Sequence, residues 1–248
     1  MQIGILIIGD EILSGRRQDK HLAHVIKTLA ERNLTLSWAR YVGDDESGLI
    51  QNFREISASG DLCFSFGGIG ATPDDLTRQS IAEALNQPIT RNKEAVIEIE
   101  ANFGDAAYPN RILMADLPTN VCLIPNPVNR IPGFSLGHIH CLPGFPEMAW
   151  PMLQWVLENN YPELKGNAIK LHRVKVHNVH ESDLLTLMKQ IQDKHPSIKL
   201  SSLPRFLPDG GREIELGVTG LIPEVTLVFD SLTTVLLEKG FIISKLES

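Results

Sequence analysis

The stretch Gly67-Gly68-Ile69-Gly70-Ala71-Thr72-Pro73-Asp74-Asp75 concentrates the residue types that hold phosphate and metal. Glycines at 67, 68 and 70 let the backbone take positive φ and let another group come close. They follow an apolar run, Leu62 to Phe66, which reads as a buried strand. Thr72 suits a helix N-cap and Pro73 the first helical position, where its missing N–H costs nothing. A glycine-lined turn between a strand and a helix N-terminus leaves N–H groups pointing outward, which favours a bound anion. Asp74 and Asp75 beside it suit a divalent cation bridging to that anion. Thr72-x-x-Asp75 is also a capping-box pattern, in which Asp75 reaches back to the Thr72 N–H. Capping accounts for Asp75, but not for three glycines followed by two adjacent carboxylates. No Gly-Lys-Ser/Thr follows, so this is not a P-loop. Pro73 stands where the dinucleotide fingerprint needs its third glycine.

Three further turns share this character. The run Ile3 to Ile8, apolar throughout as in a parallel strand covered on both faces, ends in Gly9-Asp10-Glu11-Ile12-Leu13-Ser14-Gly15. A strand from Leu34 to Val42 ends in Gly43-Asp44-Asp45-Glu46. A strand from Gly137 to Leu142 ends in Pro143-Gly144-Phe145-Pro146-Glu147, with Pro146 placed to open a helix. Ligands of open α/β sheets sit beyond the carboxyl ends of strands, so these turns are expected to face one cleft. For Asp10 and Glu11, capping of the next helix is the competing reading. His138 and His140 lie two apart on the last of these strands; a metal pair there lacks a third ligand nearby, against satisfied or surface histidines.

Helical spacing places the intervening helices at Asp19 to Asn33, Ser47 to Ser57, Leu76 to Leu85 and Asn92 to Phe103. Val121 to Ile124 reads as a short strand, and residues 125 to 134 as a rigid extended loop. A boundary is expected at Asn159 to Gly166, which separates a domain over 1–160 from a second over 166–248. The second carries a β-α-β-β-α-β order, which predicts a small ferredoxin-like α+β domain without a catalytic cluster. The net charge of −7 over 248 residues argues against nucleic acid as main partner. Cys63, Cys122 and Cys141 form no C-x-x-C, which fits a reducing cytoplasm, and no stretch approaches a transmembrane span.

Taken in order, Gly9-Asp10-Glu11-Ile12-Leu13-Ser14-Gly15, Val42-Gly43-Asp44-Asp45, the Gly67–Thr77 stretch, Asn126-Pro127-Val128 with Pro132-Gly133-Phe134, and Leu142-Pro143-Gly144-Phe145-Pro146-Glu147-Met148 resemble a known family. They are similar to the molybdopterin-binding (MoaB/Mog-type) domain as it occurs at the N-terminus of the CinA family. The resemblance covers about residues 1 to 160, and the remainder resembles the α+β segment that follows in CinA. It implies a three-layer α/β/α domain with a mostly parallel sheet that usually oligomerises. It implies either binding and adenylylation of molybdopterin or metal-dependent hydrolysis of ADP-ribose. The two acidic positions important in the Mog branch match Asp44 and Asp75. Ala71 departs from a common proline, and Asp10 from a common threonine. The amidohydrolase domain of full-length CinA is not expected in a chain of 248 residues.

The expectation is a cytoplasmic protein acting on a phosphorylated small molecule, nucleotide or pterin, with magnesium or a similar divalent metal. Asp44 and Asp75 are the candidate catalytic residues, and Asp10, Asp44, Asp74 and Asp75 the candidate metal ligands. Gly9, Asp10, Ser14, Gly67, Gly68, Gly70, Thr72, Pro143 and Gly144 are the candidate phosphate and ligand contacts. Three functions compete: a pyrophosphohydrolase for ADP-ribose or a similar nucleotide, a molybdopterin-binding module without turnover, and a degenerate scaffold that assembles through its second domain.

Overall fold

The computed structural model describes residues 2–208 and 210–246. The chain divides into two compact units, one ending at Lys165 and one starting at Gly166. In the first, strands β1 (Ile3–Ile8), β2 (Trp38–Val42), β3 (Leu62–Phe66), β6 (Cys122–Ile124), β7 (Gly133–Leu136) and β8 (Ile139–Leu142) form a six-stranded sheet. A separate pair, β4 (Ile89–Arg91) and β5 (Asp116–Pro118), stands apart from it. The order is β2-β1-β3-β8-β7-β6, parallel from β2 through β8 and antiparallel at β7 and β6.

Every residue of β1 and β3 is buried, as their unbroken apolar runs require. Successive side chains serve opposite cores. Leu6, Ile8 and Cys63 meet α3 (Glu46–Ser59), α4 (Thr77–Ala84) and α5 (Lys93–Phe103) through Phe53, Ile81 and Ile99. Ile5, Ile7 and Phe64 meet α2 (His21–Ala30) and α6 (Pro146–Asn159) through Val25, Leu29 and Leu153. The unit is thus the expected three-layer α/β/α sandwich. Caps fix the helix starts: Asp45 accepts the Gly48 N–H at 2.7 Å, and Asn92 accepts the Ala95 N–H at 3.0 Å. Pro146 occupies the first turn of α6, as its sequence position predicts.

The chain runs from β1 outward to β2 and then returns to the other side of β1 for β3. The order therefore reverses between β1 and β3, which is the switch point where open α/β sheets place ligands. The turns at Gly9 and Gly67 flank it.

Four local expectations need correction. The strand read from Leu34 to Val42 starts only at Trp38, because Leu34 and Leu36 pack into the α2/α6 core ahead of the ladder. The extended loop read to residue 134 closes at Gly133, where β7 begins. The strand read from Gly137 to Leu142 is the second half of a hairpin that turns at Gly137, with φ of +60°. The stretch 161–165, read as part of a linker, belongs to the first unit: Tyr161 and Leu164 pack against its core.

His138 and His140 do not pair. His138 Nε2 lies 3.3 Å from the Ile56 carbonyl, whereas His140 is fully buried between Ser135 Oγ at 2.7 Å and Tyr161 Oη at 3.0 Å. Burial, helped by the charge of His138, drops the His140 pKa to about 4 from its ordinary 6.5. Between these values the unfolded chain binds a proton that the folded chain refuses, so stability falls as pH is lowered through this window. The span corresponds to about 3 kcal/mol. Urea titrations between pH 7 and 4.5 should show this slope in the wild type, and a flatter one in His140→Gln.

The second unit contains β9 (Ile169–His177), α7 (Glu181–Lys194), β10 (Lys199–Phe206), β11 (Arg212–Leu221), α8 (Glu224–Glu238) and β12 (Ile242–Leu246). Its antiparallel order, β10-β11-β9-β12, is the ferredoxin-like arrangement. Val174, Val176, Ile214, Leu216 and Val218 carry the core with Leu184, Val228 and Leu232 of the helices.

Candidate functional site

Gly67 and Gly68 leave β3 with φ of +107° and +66°. A side chain on Gly67 would run into the Ile8 carbonyl of β1, and one on Gly68 into the Thr77 hydroxyl. The turn is therefore pressed against the switch point. Buried Thr77 ties it down: its N–H donates to the Gly68 carbonyl at 2.9 Å, and its hydroxyl to the Gly67 carbonyl at 2.9 Å. Among the described residues, the backbone N–H groups of Gly68, Ile69, Gly70 and Ala71 donate to no acceptor of the chain. Consecutive free amides after two positive-φ residues form an anion-binding concavity.

The helix does not begin at Thr72–Pro73. Residues Thr72 to Asp75 form a four-residue turn, with the Asp75 N–H donating to the Thr72 carbonyl at 3.0 Å, and α4 starts at Thr77. The fixed φ of Pro73 serves the second position of a turn as well as the first of a helix. The half-box bond nevertheless forms: Asp75 Oδ2 accepts the Thr72 N–H at 2.8 Å and the Thr72 hydroxyl. Asp75 braces the loop without capping a helix.

The next turn supplies carboxylates. Asp10 stands in α1 (Asp10–Leu13), and its N–H donates to Asp44 Oδ2 at 2.9 Å. The Asp44 N–H returns a bond to Asp10 Oδ1 at 3.3 Å. Burial raises the Asp44 pKa; the Asp10 N–H opposes this, and the charges of Asp10, Glu11 and Asp74 push it up again. Proximity to the Thr72 hydroxyl, and then its own backbone N–H, lowers the pKa of exposed Asp74.

A cavity of about 460 Å³ collects these groups. Of the expected contacts, Gly9, Gly67, Gly68, Gly70, Thr72, Pro143 and Gly144 line it, together with Asp44, Asp74 and Asp75. Asp10 and Ser14 do not: Asp10 is turned onto the Asp44 turn, and Ser14 Oγ accepts from Arg16 Nε at 3.2 Å. The local sequence missed Arg17, whose guanidinium lies 5.6 Å from the Phe145 ring centre and at 3.9 Å from Glu11. Glu11, Arg17 and Phe145 all line the cavity, and the pair Arg16-Arg17 just after the first glycine turn was the available signal. Met114, Ile131 and Met148 make an apolar wall, with Asn126 and Asn129 beside it.

Among the described residues, no three His, Cys, Asp or Glu side chains converge as a ready-made metal cage. The oxygen donors nevertheless suit magnesium, which is commonly held by one or two carboxylates together with substrate phosphates. Asp74 and Asp75, next to the free amides, fit that mode.

The model of the family described as "Probable molybdopterin binding domain" matches residues 4–166, which include every element of this cavity. The chain belongs to this family. Among its relatives, a CinA-like protein of Anaeromyxobacter sp. (strain K) is 33% identical over 201 residues, 78% of this chain and 49% of that protein. A protein of Pyrobaculum calidifontis is 28% identical over 214 residues, 82% of this chain and 80% of that one. The crystal structure of CinA from Thermoplasma acidophilum is similar at a TM-score of 0.59 and 28% identity, over 64% of this chain and 98% of that one. The chain spans about half the length of the CinA-like relatives it matches. No helix among the described residues is long and apolar enough to cross a membrane.

Proposed function

We propose that this molybdopterin-binding-type cleft holds a phosphorylated small molecule and, with a divalent cation, hydrolyses its phosphoanhydride, as in ADP-ribose. The observation that carries the reading is the run of unpaired amides at Gly68 to Ala71, residues that line the same cavity as Asp44, Asp74 and Asp75. The amides bind phosphate oxygens and stabilise charge that grows as phosphorus is attacked. Asp44, whose burial favours the protonated form, takes the proton of the attacking water. Asp74 and Asp75 would hold the cation, which supplies charge neutralisation and polarises the phosphoryl group. Water adds to one phosphorus, the bridging P–O bond breaks, and AMP and ribose 5-phosphate leave. The test is AMP release from ADP-ribose by the purified chain with magnesium, manganese or cobalt. Folded protein that releases none with any of them overturns hydrolysis.

A second reading is binding of molybdopterin without turnover, and the family match supports its ligand. It expects molybdopterin binding that Gly68→Asp abolishes, since the new carboxylate would enter the anion cradle. Retained binding in that variant would remove the glycine loop from the ligand site.

A further inference from the structure

Arg78 is only 4% exposed, yet it appears in no ion pair among the described residues. Its guanidinium donates to three backbone carbonyls: Gly70 at 2.7 Å, Leu113 at 2.7 Å and Asp116 at 2.9 Å. Its Nε is buried without a partner. The side chain of Asp116 is occupied elsewhere, by Arg91. Burying a cation against neutral acceptors is costly, and what offsets the cost is the three carbonyls it satisfies, which a neutral apolar side chain would leave without a donor. Packing alone therefore does not account for an arginine here.

Its position does. One nitrogen holds the carbonyl of Gly70, the last glycine of the cradle, while the other holds the 3-10 turn at Arg111–Ala115 and the start of β5. In a planar trans peptide the C=O and N–H point in opposite directions. Drawing the Gly70 carbonyl toward Arg78 turns the Ala71 N–H away from Arg78, and Ala71 lines the cavity. The same charge, with the carboxylates of Asp116 and Asp75 near it but none in ion-pair contact, is bonded to the loop's own carbonyl and favours an anion at the cradle.

We propose that Arg78 is a positioning residue of the anion site: it sets the Gly70–Ala71 peptide and places a buried positive charge behind the phosphate. This rests on the reading of the glycine loop as an anion cradle. The experiment titrates inorganic pyrophosphate with magnesium into the full chain by calorimetry, and follows the Gly68, Gly70 and Ala71 amide signals by NMR. The wild type binds and shifts these amides. Arg78→Lys keeps the charge but lacks the planar fork, and is expected to bind about 10-fold more weakly. Arg78→Met loses both, and is expected to bind about 100-fold more weakly, without the amide shifts, while the rest of its spectrum stays native. A wild type that binds no pyrophosphate overturns the cradle reading itself. A wild type that binds, beside a folded Arg78→Met that binds equally well, overturns the role of Arg78 alone. If Arg78→Met does not fold, Arg78→Lys decides, and unchanged affinity in that variant overturns the proposal.

Discussion

Asp75→Asn is expected to lower metal-dependent AMP release from ADP-ribose at least about 100-fold, the scale of removing one well-placed charge-stabilising group from an active site. The fold should barely notice. Asp75 sits in an exposed turn, and its bond to the Thr72 N–H can be accepted equally by the asparagine carbonyl oxygen. The melting temperature is therefore expected to stay within a few degrees, as for most surface changes. Raising the magnesium concentration should recover part of the lost rate, because the missing charge acts through cation binding. Full activity in the variant would reduce Asp75 to a brace of the loop. Lost activity with lost folding would say the same, and circular dichroism separates the outcomes.

Gly67→Ala is expected to act on both fold and site. The backbone at Gly67 holds φ of +107°, outside even the left-handed well that L residues tolerate. An added Cβ meets the Ile8 carbonyl, a backbone atom at the carboxyl end of β1 that cannot step aside as a flexible side chain would. Backbone strain and overpacking together suggest about 3 kcal/mol or more, hence a fall in melting temperature of about 10 °C for a unit of this size. Whatever fraction stays folded should bind phosphate poorly, since the free amides begin at the very next residue. Gly60→Ala is the control: that residue also has positive φ, at +69°, but caps α3 in open space. It should cost about 1 kcal/mol and leave binding intact. Equal behaviour of the two variants would remove the special status of Gly67.

Residue types and their immediate neighbours were enough to determine much of this protein. Unbroken apolar runs placed β1 and β3 because a strand covered on both faces has no polar side to show. Glycine followed by carboxylates located three of the turns that build the cavity, because positive φ and free amides are properties of the backbone itself. The β-α-β-β-α-β alternation was enough for the second unit, whose pairing follows from element order. Other features depend on chain segments far apart in sequence, and only the tertiary structure decided them. Thr72 and Pro73 satisfy a turn as well as a helix start, and the choice was made by Thr77, which reaches back to Gly67 and Gly68. Asp10 and Asp75 look alike locally, but one carboxylate is taken up by the Asp44 turn while the other lines the cavity. Arg78 has no local signature at all; its role exists because the chain brings Gly70, Leu113 and Asp116 to one point, and an arginine's planar fork can hold all three carbonyls at once.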